Sequence, residues 1–179
     1  MKTPSVTQAI SPWVDWSKVP PHLLQTAAER GTNVHDICLM RIAKGLFVSG
    51  VPEECVGYVE SYHRWFDLMV DEVIFTEDRL EDKALGYNGQ PDSLIKSKQG
   101  YLIHVDLKTP VTSQKAWRLQ IAAYDHLIEI NKGIVPDRSG SLQLNPDGGV
   151  AKMAYYEGSR NQDFAVFLSV LNAYRFFNA

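Results

Sequence analysis

The chain has 179 residues, of which 45% are hydrophobic and four are tryptophan. That composition excludes a disordered polymer and predicts one domain, residues 1–179, with an ordinary core. Two cysteines and a formal net charge of −3 exclude a disulfide framework, a four-thiolate iron–sulfur cluster and a uniformly basic nucleic-acid binder. Cys38 and Cys55 fit a reduced, cytoplasmic setting. The acids concentrate at Glu53-Glu54 and from Asp71 to Asp82, so a local basic path stays open. No apolar run has the character of a signal peptide or a membrane span, and no membrane partner is expected.

Residues 1–19 mix polar residues with Pro and Trp and predict an irregular lead-in, with Trp13 and Trp16 packed back onto the body. Pro20-Pro21 starts a short helix through Glu29, since proline suits a first helical turn. Gly31-Thr32 punctuates it, and Thr32 can cap a second helix. There His35, Leu39, Ile42 and Leu46 follow helical spacing, which puts His35 on an apolar stripe. An imidazole so placed reads as a buried, hydrogen-bonded core residue. Gly50 ends the pattern. Pro52-Glu53-Glu54 opens a third helix with acids at its positive end, and Val56, Val59, Tyr62, Phe66 and Met69 form its buried face. Residues 71–79 read as a strand with Val73 and Phe75 on one face and Glu72 and Ile74 on the other. Glu81-Asp82-Lys83 marks a hairpin tip, and Gly86 and Gly89 mark a turn or a close backbone approach.

After a turn at residues 96–100, Tyr101, Ile103, Val105 and Leu107 alternate with Leu102, His104, Asp106 and Lys108, the period of a strand. Asp106 and Lys108 therefore share a face, about 7 Å apart along the strand. If Asp92 ends the neighbouring strand, two carboxylates and one ammonium meet at a point. Two carboxylates repel unless a cation lies between them. A hard divalent ion, held by one or two carboxylates and substrate phosphate, fits that arrangement. Lys108 could then orient or deprotonate the attacking water, or stabilise developing charge.

Residues 109–113 form a loop, and Ser113 caps a helix from Gln114 to Asn131 that Gly133 closes. Trp117, Gln120, Ile121, Tyr124 and Leu127 share a face. Gln120, adjacent to Tyr124 at i,i+4, needs a hydrogen-bonding partner there, such as loop backbone. Lys115 and Arg118, at the helix's outer start, are solvated cations or phosphate contacts. Residues 141–157 predict a β-hairpin turned by Pro146-Asp147-Gly148-Gly149. A last helix, Gln162 to Asn178, packs through Phe164, Phe167, Leu168, Leu171 and Tyr174.

Gln90-Pro91-Asp92, then Asp106-Leu107-Lys108, then Gln120 with Tyr124, preceded by Arg30-Gly31-Thr32-Asn33-Val34-His35, make a chain that resembles the PD-(D/E)xK nucleases. The likeness is to their RecB-type and phage-exonuclease branch and spans residues 30–124. It implies an α/β, restriction-endonuclease-like core, a central mixed β-sheet flanked by helices. It implies a DNA nuclease dependent on Mg²⁺ or Mn²⁺, an exonuclease of phage recombination or bacterial DNA repair more than a site-specific endonuclease. Asp92, Asp106 and the Leu107 carbonyl would be metal ligands. His35 would be an added ligand, tilting the site toward Mn²⁺. Lys108 would position the attacking water, Gln120 would steady the site, and Tyr124 would support it on the DNA. An acidic residue on the upstream strand, Glu72 first and Glu77 second, would join them.

The resemblance places the protein in the cytoplasm of a bacterial or phage-infected cell, with DNA as partner. A recombination or repair partner protein and homo-oligomers also occur in the branch. No phosphate-binding loop of an ATPase is present, so only the cutting step is expected. Two other readings remain: a catalytically inactive nucleic-acid-binding protein of the same fold, and a metal-dependent hydrolase of small phosphoesters.

Overall fold

The computed structural model describes residues 3–15, 17, 20–46, 48–109 and 115–178; Trp16 and Ser113 lie outside them. Its elements are α1 (Val6–Ile10), α2 (Pro21–His35), α3 (Val56–Met69), β1 (Val70–Thr76), β2 (Leu80–Asp82), β3 (Tyr87–Gly89), β4 (Ser93–Ser97), β5 (Leu102–Lys108), α4 (Ala116–Lys132), β6 (Arg138–Gln143), β7 (Lys152–Tyr155) and α5 (Arg160–Phe177). Five strands form one mixed sheet in the order β1-β4-β5-β6-β7. β1, β4 and β5 are antiparallel, β6 runs parallel to β5, and β7 is antiparallel to β6. Parallel neighbours cannot be joined by a tight turn, and α4 supplies the crossover. β2 and β3 form a separate two-stranded ribbon between β1 and β4.

Alternation along the central strands divides the core in two. Ile95, Ile103, Val105 and Leu107 pack with Leu39, Tyr62 and Trp65. Leu94 packs with Tyr124 and Leu127 of α4 and Phe167 and Leu171 of α5. The mixed sheet flanked by helices is the architecture expected from the sequence. Gly133 closes α4 in the left-handed conformation, φ 68°. Cys38 and Cys55 are buried and unbridged. Among the described residues no helix is long and apolar enough to cross a membrane.

Four local expectations change. The lead-in contains α1, a helix with a capping box: Gln8 N–H donates to Ser5 Oγ at 3.1 Å and Ser5 N–H to Gln8 Oε1 at 2.9 Å. Five residues are too few for helical periodicity to show, although Ser-x-x-Gln is a capping signature. Val6, Ala9 and Ile10 join the α4–α5 core, while Trp13 stays 59% exposed. Secondly, Gly31-Thr32 does not break the helix. Thr32 Oγ1 donates to the Ala28 carbonyl one turn back, at 3.1 Å, and α2 runs on to His35 before widening into a π-helical stretch, Asp36–Ile42.

In α3 Val59 and Tyr62 are buried and Phe66 and Met69 pack partly buried against the same core, joined by Tyr58 and Trp65, whereas Val56 is exposed. A tight 3-10 turn, Glu53–Cys55, precedes that helix. Lastly, β1 carries register shifts between Val70 and Glu72 and between Val73 and Phe75. A bulge reverses the side-chain alternation, so Val73 joins one core and Phe75 the other.

Gly89 lets the ribbon lie flat on α4: a Cβ there would stand 2.5 Å from Tyr124 Cε1. Gly89→Ala is therefore expected to destabilise the protein by about 1–3 kcal/mol through overpacking, read as a lowered thermal midpoint. An unchanged midpoint would mean that the ribbon is not seated on Tyr124.

Candidate active site

The site forms where β4 begins and β5 ends. Ser93 pairs with Val105, and continuing that register sets Asp92 across from Asp106. Like charges facing each other across strands are unfavourable, so each carboxyl needs its own compensation. Asp92 Oδ2 accepts the Leu107 N–H at 2.6 Å and lies 3.7 Å from His35 Nδ1. Asp106, fully buried, has Oδ2 2.6 Å from Lys108 Nζ. The alignment of that ion pair falls short of a hydrogen bond, and neither Asp106 oxygen has a hydrogen-bond partner.

Lys108 Nζ also donates to Gln120 Oε1 at 3.1 Å, and Gln120 Nε2 donates to Tyr124 Oη at 3.4 Å. The partner that Gln120 required is thus the lysine, with Tyr124 behind it. Burial pushes Asp92 up to about 6; His35 acts against that, Asp106 adds to it, and Lys108 and the Leu107 N–H oppose it. Burial works against a charge on Lys108, but Asp106 and then Asp92 outweigh it and hold the ammonium above its ordinary range. Burial, and then Asp106, raise Tyr124 as well. Lys108 is therefore a cation at neutral pH.

His35 Nε2 lies 3.0 Å from the Leu107 carbonyl. That carbonyl can only accept, so Nε2 carries the proton and Nδ1 is the atom turned toward Asp92. The two sequence-predicted ligands, His35 and the Leu107 carbonyl, thus satisfy each other in this arrangement. Among the described residues no three His, Cys, Asp or Glu side chains form a ready metal cage. What is present is two buried carboxyls beside a backbone carbonyl, one of them with no hydrogen bond to either oxygen and only the Lys108 ion pair at Oδ2. That donor set fits a hard divalent cation that keeps water and substrate oxygens for its remaining positions. Buried carboxyl oxygens are otherwise costly to leave unpaired.

The antiparallel meander brings only the far end of β1 to this point. Glu72 is not brought there: it is exposed, opposite Lys96, which pairs with Leu102 at the other end of β5. Glu77 lies at the edge of the site. Its N–H donates to the Asp92 carbonyl at 2.9 Å, its φ is 52°, and it shares a groove of about 480 Å³ with His35. A non-glycine residue in the left-handed region is strained, a feature that clusters at functional sites.

Arg118 turns away from the site. Its guanidinium grips Asp163 of α5 through two contacts of 3.1 Å, and an ion-paired arginine is less free for phosphate. Lys115 is exposed and lines, with Arg118 and Trp13, a separate groove of about 510 Å³. The cleft over the carboxyls, about 440 Å³, is lined by His35, Asp92, Lys108, Gln120 and Tyr124, and also by Arg79 and the α1 hydroxyls. Sequence reasoning missed Arg79 and α1 because their nearness to Asp92 arises only when the ribbon folds over α4. Behind the site, His104 Nδ1 meets Asp125 Oδ1 at 2.6 Å, and the His104 ring stands edge-on to Tyr124 at 6.1 Å.

Fold and site define a mixed α/β protein with a lysine-bearing acidic cleft at the end of its sheet. No family model matches the chain, and no curated protein matches it. Among solved structures it is similar to a crystal structure named "Putative exonuclease" from Eubacterium rectale, at 13% identity over 83% of this chain and 68% of that one, with a TM-score of 0.48. At that distance the chemistry rests on the geometry of the cleft.

The raised Asp92 pKa has a stability consequence. Its folded value, about 6, lies above the unfolded value of about 3.9. Protonation thus favours the fold, and this contribution, complete below about pH 4, is lost as pH rises through 6. In EDTA, Asp92→Asn should gain stability relative to wild type by several degrees between pH 4 and 7. A difference in thermal midpoint that stays constant across that range would show Asp92 to be an ordinary carboxyl.

Proposed function

We propose that this protein is a divalent-metal-dependent nuclease that hydrolyses phosphodiester bonds in DNA. The observation that carries the reading is the pair of Asp106 oxygens, buried without a hydrogen-bond partner beside Asp92 and Lys108. The choice of DNA, and of cutting from an end, rests on the motif resemblance. Ser5, Asn88, Gln90 and Gln120 line the cleft in place of the apolar walls of a small-molecule pocket. That favours a polymer backbone over a small phosphoester.

Asp92, Asp106 and the Leu107 carbonyl would hold Mg²⁺ or Mn²⁺, with His35 Nδ1 at the edge. Such an ion supplies Lewis-acid polarisation of the phosphoryl oxygen and a lower pKa for the attacking water. The chain's own residues do the rest. The Leu107 N–H fixes the Asp92 carboxyl. Lys108, already protonated, cannot take a proton; it stabilises the charge that builds on the phosphate. Gln120 and Tyr124 hold its Nζ in place.

Incubation with linear and with nicked-circular DNA in Mg²⁺ or Mn²⁺ tests this directly. Linear DNA should be degraded, and Asp106→Asn should abolish cutting and greatly weaken Mn²⁺ binding in titration calorimetry. Lys108→Ala should slow hydrolysis by roughly two to four orders of magnitude while Mn²⁺ still binds, because an ammonium is no ligand. A Lys108→Ala protein cutting at close to the wild-type rate would sink the mechanism. His35→Ala separates the two roles of that ring. Loss of Mn²⁺ affinity in a folded variant identifies a ligand, whereas a stability loss of about 1–3 kcal/mol with normal specific activity identifies a packing residue.

A further inference from the structure

Arg79 is a charge that this chemistry leaves unused. It is exposed, it lines the same cleft as Asp92 and Lys108, and among the described residues it has no ion pair or hydrogen bond. Its backbone is firmly mounted. Asp78 before it is ion-paired with Lys132 at 2.5 Å. Leu80 after it is buried and pairs with Gly89, which sits against Tyr124. Asp82, closing the strand, holds His126 of α4 at 2.9 Å. Continuing the ribbon register sets Arg79 opposite Gln90, two residues, or about 7 Å of extended chain, from Asp92.

The N-terminal segment faces the same cleft. Ser5 Oγ and Thr7 Oγ1 lie 3.0 Å apart, and Ser5 Oγ already accepts from the Gln8 N–H. Two hydroxyls own two hydrogens and use one on the bond between them, so one is free to donate into the cleft. Asn88 lines the same wall, its amide tied to the Thr3 carbonyl at 3.0 Å. Among the described residues, Asp92, at the inner end of the cleft, is the one carboxylate in its lining. An unpaired guanidinium on an anchored backbone, with a hydroxyl donor in the same cleft lining and no acid on that wall, suits a phosphate diester oxygen.

We propose that Arg79, with Ser5 and Thr7, binds a backbone phosphate of the substrate strand next to the one being cut, so that the ribbon and α1 set the strand's register over Lys108. The ligand's identity as a polymer strand rests on the nuclease reading; the phosphate subsite itself does not need the cutting chemistry.

The test is fluorescence anisotropy with a short labelled single-stranded oligonucleotide, titrated in EDTA at several salt concentrations. Arg79→Gln should weaken binding about tenfold, the value of one charge-assisted contact, and lower the log–log salt slope by about 0.7. Arg79→Lys, which keeps the charge, should keep the slope. Lys83→Gln removes a charge from the same ribbon outside the cleft and should change neither quantity. Wild-type affinity and slope in Arg79→Gln, an equal loss in Lys83→Gln, or no strand binding by the wild-type protein would each overturn the subsite. Arg79-dependent binding of a strand that remains uncut in Mg²⁺ and Mn²⁺ would uphold the subsite and overturn the nuclease reading instead.

Discussion

The bond from the Leu107 N–H to Asp92 Oδ2, 2.6 Å long, ties the residue just before β4 to the end of the neighbouring strand β5. It exists because the β4–β5 register brings two carboxyls face to face at a point where both are buried. Buried carboxyls in contact are unstable unless hydrogen bonds and cations answer them. The surroundings can be read as that answer: His35 from α2, Lys108 from β5 itself, and Gln120 and Tyr124 from α4 as the second layer that holds the lysine. The compensation remains partial at Asp106, whose oxygens lack hydrogen bonds. A fold optimised for stability alone would fill that place with an apolar side chain, since replacing buried ion pairs by well-packed hydrophobic residues is often neutral or stabilising.

Much of this was legible in the chain. The alternation from Tyr101 to Lys108 is a pure period-two pattern on a central strand, where burial on both faces leaves no room for irregularity, so the shared face of Asp106 and Lys108 followed directly. α4 was equally legible, because seventeen residues repeat the helical period several times and a left-handed glycine ends it. Its Gln120 announced a polar partner simply by lying on an apolar face.

What was not legible depends on events that sequence periodicity cannot carry. The two bulges in β1 insert residues without leaving a compositional mark, and they separate Val73 from Phe75. They also belong to a strand whose C-terminal end, not its start, reaches the site, which is why Glu77 and not Glu72 stands at its edge. Arg118 looked like a phosphate contact because it is basic and on an outer turn; Asp163, forty-five residues away in sequence, claims it. Arg79 had no neighbours in sequence to suggest a site. Its place follows from the absence of a Cβ at Gly89, which lets the ribbon settle on Tyr124.

The seating of α1 has a bearing on how the protein is made. α1 ends at Ile10, whereas the helices that bury it, α4 and α5, begin at Ala116 and Arg160. Synthesis delivers the N-terminal side first, so Val6, Ala9 and Ile10 leave the ribosome long before their binding surface exists. Contacts of such long sequence separation form late. The wall of the cleft that carries Ser5 and Thr7 is therefore completed only when α5 has emerged, and a nascent chain that already holds Asp92, Asp106 and Lys108 still presents an unfinished cleft to any nucleic acid near the ribosome.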